Sequence, residues 1–233
     1  KKTNRRIVAI MPVHVSGNAV NIEKMEKICR EKNIKIVEDA AEALGTKYVK
    51  GRYKGKHVGT IGLLGCLSFN GNKIITTGGG GMILTNDKKI ANRAKYLSSQ
   101  ANNNPKKYIH NEIGYNYRLT NIQAALGVAQ LEKINDFISK KKLVYDYYNN
   151  AFKKSNYIEI SKVPIYARNN HWMVTLKIKS KNNSNIKNKL QKYLENEKIQ
   201  TRPMWNLCHK QIPYKKYETY LIKKSYELHE QSL

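Results

Sequence analysis

Two short runs of apolar, mostly β-branched residues, Ile7 to Met11 and Ile34 to Val37, flank a segment, Ile22 to Lys32, in which Ile22, Met25 and Cys29 fall on one helical face. That segment is too long for a hairpin loop. The order therefore predicts parallel strands joined by a crossover helix, the unit of layered α/β domains. Sheets of this kind hold ligands at the carboxyl ends of their strands, so strand exits are where chemistry is expected.

The rest of the chain extends this pattern. Ile61 to Phe69 predicts another strand, broken by Gly71-Asn72-Lys73, and Met82 to Thr85 predicts one more after the four glycines Gly78 to Gly81. A charged helix is expected over Lys88 to Ser98, and the Asn-rich stretch Gln100 to Lys107, with its one proline, reads as a loop. From Asn121 to Lys154, Ile122, Leu126, Ala129, Ile134, Phe137 and Ile138 recur at three- and four-residue spacing with no proline, which predicts one long helix or two in series. Beyond Tyr157, a strand at Val174 to Ile178 and a helix at Asn185 to Glu197 predict a smaller α/β domain. The expected division is a large domain over 1–150, ending in the linking helix, and a small domain over 151–233.

The formal net charge of +26 favours phosphate-bearing partners. The lysines are spread along the whole chain among Asn and Ile, with no single basic stripe or recognition motif, so specific nucleic-acid binding is not expected. No stretch approaches the roughly 20 uninterrupted apolar residues of a membrane-spanning helix, and no cleavage site follows the basic start. Cys29, Cys66 and Cys208 are too scattered for a disulfide framework or a zinc site, so the expectation is a cytoplasmic chain with three buried thiols and no metal.

Two short words stand at strand exits: Val37-Glu38-Asp39-Ala40-Ala41-Glu42 and Ser68-Phe69-Asn70-Gly71-Asn72-Lys73. A lysine in a glycine-flanked turn can act as a Schiff-base nucleophile, and a carboxylate on a neighbouring strand end can hold a protonated pyridine nitrogen, two needs of pyridoxal phosphate (PLP) chemistry. Each word also has a plainer explanation, a turn-forming aspartate and one surface lysine among many. Gly78 to Gly81 can serve simply as positive-φ turns or sites of close packing. They do not form a nucleotide phosphate loop, because no Gly-Lys-Ser/Thr follows.

Longer words add to this reading. VEDAAEALGT, GCLSFNGNKIITTGGGGMILTND and HNEIGYNYRLTNIQAALGVAQLEKI, in that order, closely resemble the DegT/StrS family of nucleotide-sugar aminotransferases. The resemblance covers essentially the whole chain. It implies the large domain of a three-layer PLP-dependent transferase (aspartate aminotransferase-like, fold type I), present in part, plus a small α/β carboxyl-terminal domain. Members of the family carry about a hundred or more residues before a segment like AIMPVHVSGN, so the chain is expected to be truncated at its start and slightly at its end. The NKIITTGGGG form resembles the branch acting on 4-keto-6-deoxy sugars of the bacillosamine or legionaminic type.

By the same resemblance Lys73 is the covalent PLP lysine and proton shuttle, Asp39 faces the pyridine nitrogen, and Ser68 donates to the PLP phosphate. Asn116, in GYNYR, is similar to a residue that reaches that phosphate from the partner subunit, which implies a homodimer; as a plain structural residue it would be a turn cap before the long helix. Glu42 stands where Gln or His is commoner against the cofactor's ring oxygen. An ionised carboxylate there can only accept, so Glu42 is protonated, acts indirectly, or sits at the surface. On the substrate side Arg202, Trp205 and His209 match a segment near the sugar nucleotide; their plainer roles are a core tryptophan and a structural histidine.

The implied reaction moves an amino group from glutamate to the C4 ketone of a nucleotide-linked sugar, UDP-linked and acetamido-type, in two half-reactions. A sugar dehydratase relative would typically replace the lysine by histidine, and Lys73 speaks against that form. The alternatives are an inactive fragment, or a non-catalytic interaction protein of the same fold.

Overall fold

The computed structural model describes residues 4–104, 106–180 and 183–233. They fall into two compact units, one of residues up to Leu143 with Val163–Met173, the other of Val144–Lys162 with Val174–Leu233.

The first unit is built on a four-stranded sheet. Its strands are β1 (Ala9–Ile10), β2 (Lys35–Asp39), β4 (Leu64–Ser68) and β5 (Gly81–Leu84), in the order β1-β2-β4-β5, with β3 (Lys47–Tyr48) lying outside it. β1 pairs with β2 and β2 with β4 in parallel, and β5 returns antiparallel to β4. The crossover between β1 and β2 is the helix α1 (Ile22–Glu31), capped by the Asn21 side chain, which accepts from the Lys24 N–H at 3.3 Å. Ile22 and Cys29 on its inner face join Ile36, Ala40, Tyr48 and Val58 in the buried core. The β-α-β order is therefore realised as parallel pairing.

After the sheet come α2 (Lys88–Ser98), β6 (Asn102–Asn104), β7 (Ile109–His110), α3 (Asn121–Glu132) and α4 (Ile134–Phe152). Asp87 caps α2 by accepting from the N–H groups of Lys89 and Ile90 at 2.8 and 3.1 Å. Thr120 and Gln123 form a reciprocal capping box on α3. The apolar periodicity of Asn121 to Lys154 resolves into two helices in series, because Lys133, at φ −102° and ψ 6°, interrupts the helical backbone between them. The Asn-rich stretch is not wholly a loop, since β6 pairs antiparallel with β7. β9 (Ala167–Arg168), far along the chain, pairs with β3 and brings the following residues to the sheet.

β1 is shorter than the run Ile7 to Met11, and Ile7, Val8, Ile10 and Met11 are exposed. The thiols differ from expectation as well: Cys29 is buried, Cys66 half-buried and Cys208 exposed. Cys208 opens the short turn Cys208–Lys210.

The second unit pairs β8 (Ile158–Ile160) antiparallel with β10 (Leu176–Ile178), and α5 (Asn183–Asn196) and α6 (Lys223–Gln231) pack beside β10. The other edge of β10 is taken by the last residues, with Leu176 and Leu233 exchanging backbone hydrogen bonds at 2.9 and 3.0 Å. No described helix is long and apolar enough to cross a membrane.

Candidate active site

The site is built from the exits of β2 and β4. Side chains on β2 alternate in burial: Ile36 and Glu38 are buried, Val37 and Asp39 are half-buried. Asp39 is thus turned away from the face into which Glu38 is sealed. Asp39 lies opposite Cys66 in the β2–β4 register, and its Oδ1 accepts from the Ala41 N–H at 3.0 Å. Burial first, and then the negative charge of Asp39, push the Cys66 thiol up from its ordinary value.

Ser68 closes β4. Its Oγ accepts from the Asn70 N–H at 3.3 Å, the first bond of the turn that leads to Lys73. That turn is fixed along its length: Lys73 N–H donates to the Asn70 carbonyl at 3.0 Å, Thr77 N–H to Phe69 at 3.0 Å, and Phe69 N–H to Gly80 at 3.0 Å. Gln130 on α3 clamps the same loop, accepting from the Thr76 N–H at 3.0 Å and donating to the Thr76 carbonyl at 2.8 Å. The glycines close it. Gly78 and Gly80 have φ of 79° and 99°, a region that strains other residues, and a Cβ on Gly81 would meet the Leu67 carbonyl oxygen at 2.5 Å.

Lys73 is held inside the site. Its side chain is 13% exposed, and Nζ lies 3.5 Å from Glu42 Oε1. Glu42 is itself only 8% exposed, so the surface placement entertained for it is wrong: the turn after β2 folds it inward. Its other oxygen, Oε2, accepts from the Ser16 N–H at 2.7 Å. Both of these contacts suit an acceptor, and they place Glu42 between the lysine and the 14–17 turn.

Asn116 is exposed and bridges Ser99; Tyr115 and Tyr117 on either side of it hydrogen-bond to the backbone at the end of α2 and stack on each other at 5.0 Å. It does not cap the long helix, because Thr120 does. In the second unit Arg202 is exposed, and Trp205 at 56% exposure is not a core residue. His209 is half-buried with Nε2 3.0 Å from the Tyr226 hydroxyl, a partnered histidine.

Trp172 was not among the residues expected at the site. Its ring lies against Lys73, with Nζ 4.3 Å from the ring centroid, and its Nε1–H donates to the Asn72 carbonyl at 2.6 Å. The local sequence carried one signal only, that it is one of two tryptophans in the chain.

The family model for DegT/DnrJ/EryC1/StrS aminotransferases matches residues 1–233. The chain belongs to that family. It is 37% identical over 223 residues to GDP-perosamine synthase of Escherichia coli O157:H7, covering 95% of this chain and 58% of that protein. It is 32% identical over 169 residues to the UDP-4-amino-4,6-dideoxy-N-acetyl-beta-L-altrosamine transaminase of Campylobacter jejuni strain 81-176, covering 72% of this chain and 44% of the relative. The solved structure of Helicobacter pylori PseC, an aminotransferase involved in the biosynthesis of pseudoaminic acid, shares the fold with a TM-score of 0.89, at 24% identity, over 98% of this chain and 61% of that one. The chain therefore spans roughly half the length of these relatives, between 44% and 61%, within a family of PLP-dependent aminotransferases.

The donor set fits PLP. A primary amine in a fixed turn, a half-buried carboxylate on the adjacent strand end and a hydroxyl at the exit of β4 are the groups that a pyridine aldehyde phosphate requires.

Proposed function

We propose that this chain serves PLP-dependent amination of a nucleotide-linked 4-keto-6-deoxy sugar, with Lys73 as the covalent lysine. The observation that carries this reading is the placement of Lys73: a mostly buried amine, 3.5 Å from Glu42, in a clamped turn beside the strand end that bears Asp39.

When bound, the cofactor supplies a carbonyl that takes amines covalently and a ring that draws off the electrons released at proton removal. The protein's residues do the rest. The Lys73 amine holds the cofactor and, once released, carries the proton between carbon atoms. Asp39 keeps the pyridine nitrogen protonated by presenting a fixed negative charge. Ser68 orients the phosphate, and Glu42 receives the Lys73 ammonium when it is free. In the net exchange glutamate becomes 2-oxoglutarate and its amino group takes the place of the sugar's C4 carbonyl oxygen, one water being taken up in the first half-reaction and one released in the second.

Asn116, exposed on a braced segment, is proposed to reach the phosphate site of a second copy in a homodimer. Arg202, Trp205 and His209 are proposed to meet the sugar nucleotide, whose diphosphate suits a chain of net charge +26. The finer proposal is a UDP-linked acetamido sugar. The relatives include both a GDP-perosamine synthase and a UDP-sugar transaminase, so turnover of GDP-linked substrate alone would overturn it. The free thiols accord with a cytoplasmic setting.

The test is the absorption spectrum of the full chain with added PLP, before and after borohydride, with mass mapping of the reduced adduct. The expected result is a visible band lost on reduction, with the label on Lys73. Absence of label at Lys73 would overturn the reading in favour of an inactive fragment or a non-catalytic interaction protein of the same fold.

A further inference from the structure

Residues Val163–Met173 come late in the chain yet belong to the first unit. They run as a strap across it. β9 pairs with β3, and the Tyr166 hydroxyl donates to the Ala19 carbonyl at 3.1 Å. Asn170 is wholly buried and fully engaged: its N–H donates to Thr46 Oγ1 at 3.1 Å, and its Nδ2 donates to the carbonyls of Glu42 and Leu44 at 2.8 and 2.9 Å. Its Oδ1 accepts from the N–H of Trp172 at 3.0 Å. Asn169 anchors the other side through Nδ2 to Asn18 Oδ1 at 2.7 Å. The Asn170 bonds to Glu42, Leu44 and Thr46 and the Asn169 bond to Asn18 tie the strap to the segments that follow Glu42 and Ser16, the Asn170–Trp172 bond sets the strap's own turn, and the strap delivers Trp172 against Lys73.

We infer that Trp172 is a positioning residue for Lys73. This rests on the reading of Lys73 as the covalent lysine. Two contacts act together. The Nε1–H bond to the Asn72 carbonyl fixes the peptide immediately before Lys73, and so fixes where the side chain leaves the turn. The negative face of the indole then attracts the ammonium, which Glu42 also faces, with its Oε1 3.5 Å from Nζ. The amine is held between a ring and a carboxylate, and it is steered toward a single position instead of sampling the rotamers open to a four-carbon chain. A lysine that must alternate between covalent attachment and proton transfer returns to the same place each cycle.

The test follows trace acetylation of the full chain, without cofactor, across a range of pH, reading the Lys73 peptide by mass spectrometry. Half-plateau pH reports the charge preference of the amine and is insensitive to how easily the reagent enters. Trp172→Leu removes the ring and is expected to move that pH away from the parent's, whereas Trp172→Phe keeps a ring and is expected to stay nearer the parent. Fluorinated tryptophans keep the shape while weakening the ring's negative face, so the half-plateau pH is expected to fall stepwise with fluorine number, and this series does not depend on the leucine variant folding. A half-plateau pH indifferent to fluorination would overturn the inference, as would equal shifts in the Phe and Leu variants. PLP capture at Lys73 by borohydride is scored separately: its failure overturns the proposed function, while the acetylation profile still decides the role of the ring.

Discussion

His14 and Glu38 are both sealed from solvent, and His14 Nε2 lies 3.0 Å from Glu38 Oε2. The Val20 N–H donates to His14 Nδ1 at 3.1 Å, which leaves Nε2 to carry the proton given to Glu38. Glu38 also accepts from the N–H groups of Gly59, Ile61 and Gly62 at 2.8, 2.7 and 2.7 Å. Burial alone would push its carboxyl up; the bonds from His14 and from the three backbone groups outweigh it and hold the carboxyl below its ordinary value.

The pH consequence has a definite sign. A carboxyl depressed in the folded state contributes stability in full above its unfolded value, about 4.3, and loses it as pH falls through the lower folded value. The chain is therefore expected to weaken on acidification below about pH 4.3. Glu38→Ala leaves the donors of His14, Gly59, Ile61 and Gly62 without their partner and is expected to cost at least about 1–3 kcal/mol at neutral pH while flattening the acid limb. Denaturant midpoints of both proteins at pH 7 and pH 4 check this.

Asp39→Asn preserves the acceptor for the Ala41 N–H and so leaves the turn intact. It removes the charge proposed to hold the pyridine proton. Transamination is expected to fall about a hundredfold or more with little change in thermal stability. Steady-state rates beside a melting curve separate the two.

Gln130→Ala deprives the Thr76 N–H and carbonyl of their shared partner. The turn that presents Lys73 is expected to loosen, with a stability cost of about 1–3 kcal/mol and weaker PLP binding. Spectroscopic titration with PLP measures the second effect.

Gly17→Ala is expected to disturb the strap. Gly17 has φ 79°, and a Cβ there would run into the Asn170 side chain amide. A cost of about 1–3 kcal/mol is expected. Faster amide exchange at Asn170 and Trp172 than in the parent would locate the damage.

How much of this was legible in the sequence depends on distance along the chain. The crossover between β1 and β2 was readable because α1 shows its inner face within ten residues. Asp39, Ser68 and Lys73 were readable as words at strand exits, and the pairing of β2 with β4 does bring those exits together. The break at Lys133 was left open, since apolar spacing on both sides is compatible with one helix or two. Trp172 was not readable at all. It lies 100 residues from Asn72, in a strap without periodicity, held by side chain amides that pattern reasoning treats as loop composition. His14 and Glu38 were missed for a similar reason, because a buried pair 24 residues apart leaves no local trace.

Glu38 and Asp39 are neighbours on one strand with opposite duties. The first fastens the interior; the second is turned toward the proposed site. Their separation depends on the two-residue alternation of β2, so one inserted or deleted residue within Lys35–Asp39 would exchange the pair, exposing the structural carboxylate and entombing the one proposed for the cofactor. The bend around Gly55 is held to β3 by bonds of its own, with the Gly55 N–H donating to the Tyr48 carbonyl at 2.8 Å and the Tyr48 N–H to the Lys56 carbonyl at 2.9 Å. A change of length within β2 would thus strike the interior and the proposed site in one event, since a single strand serves both.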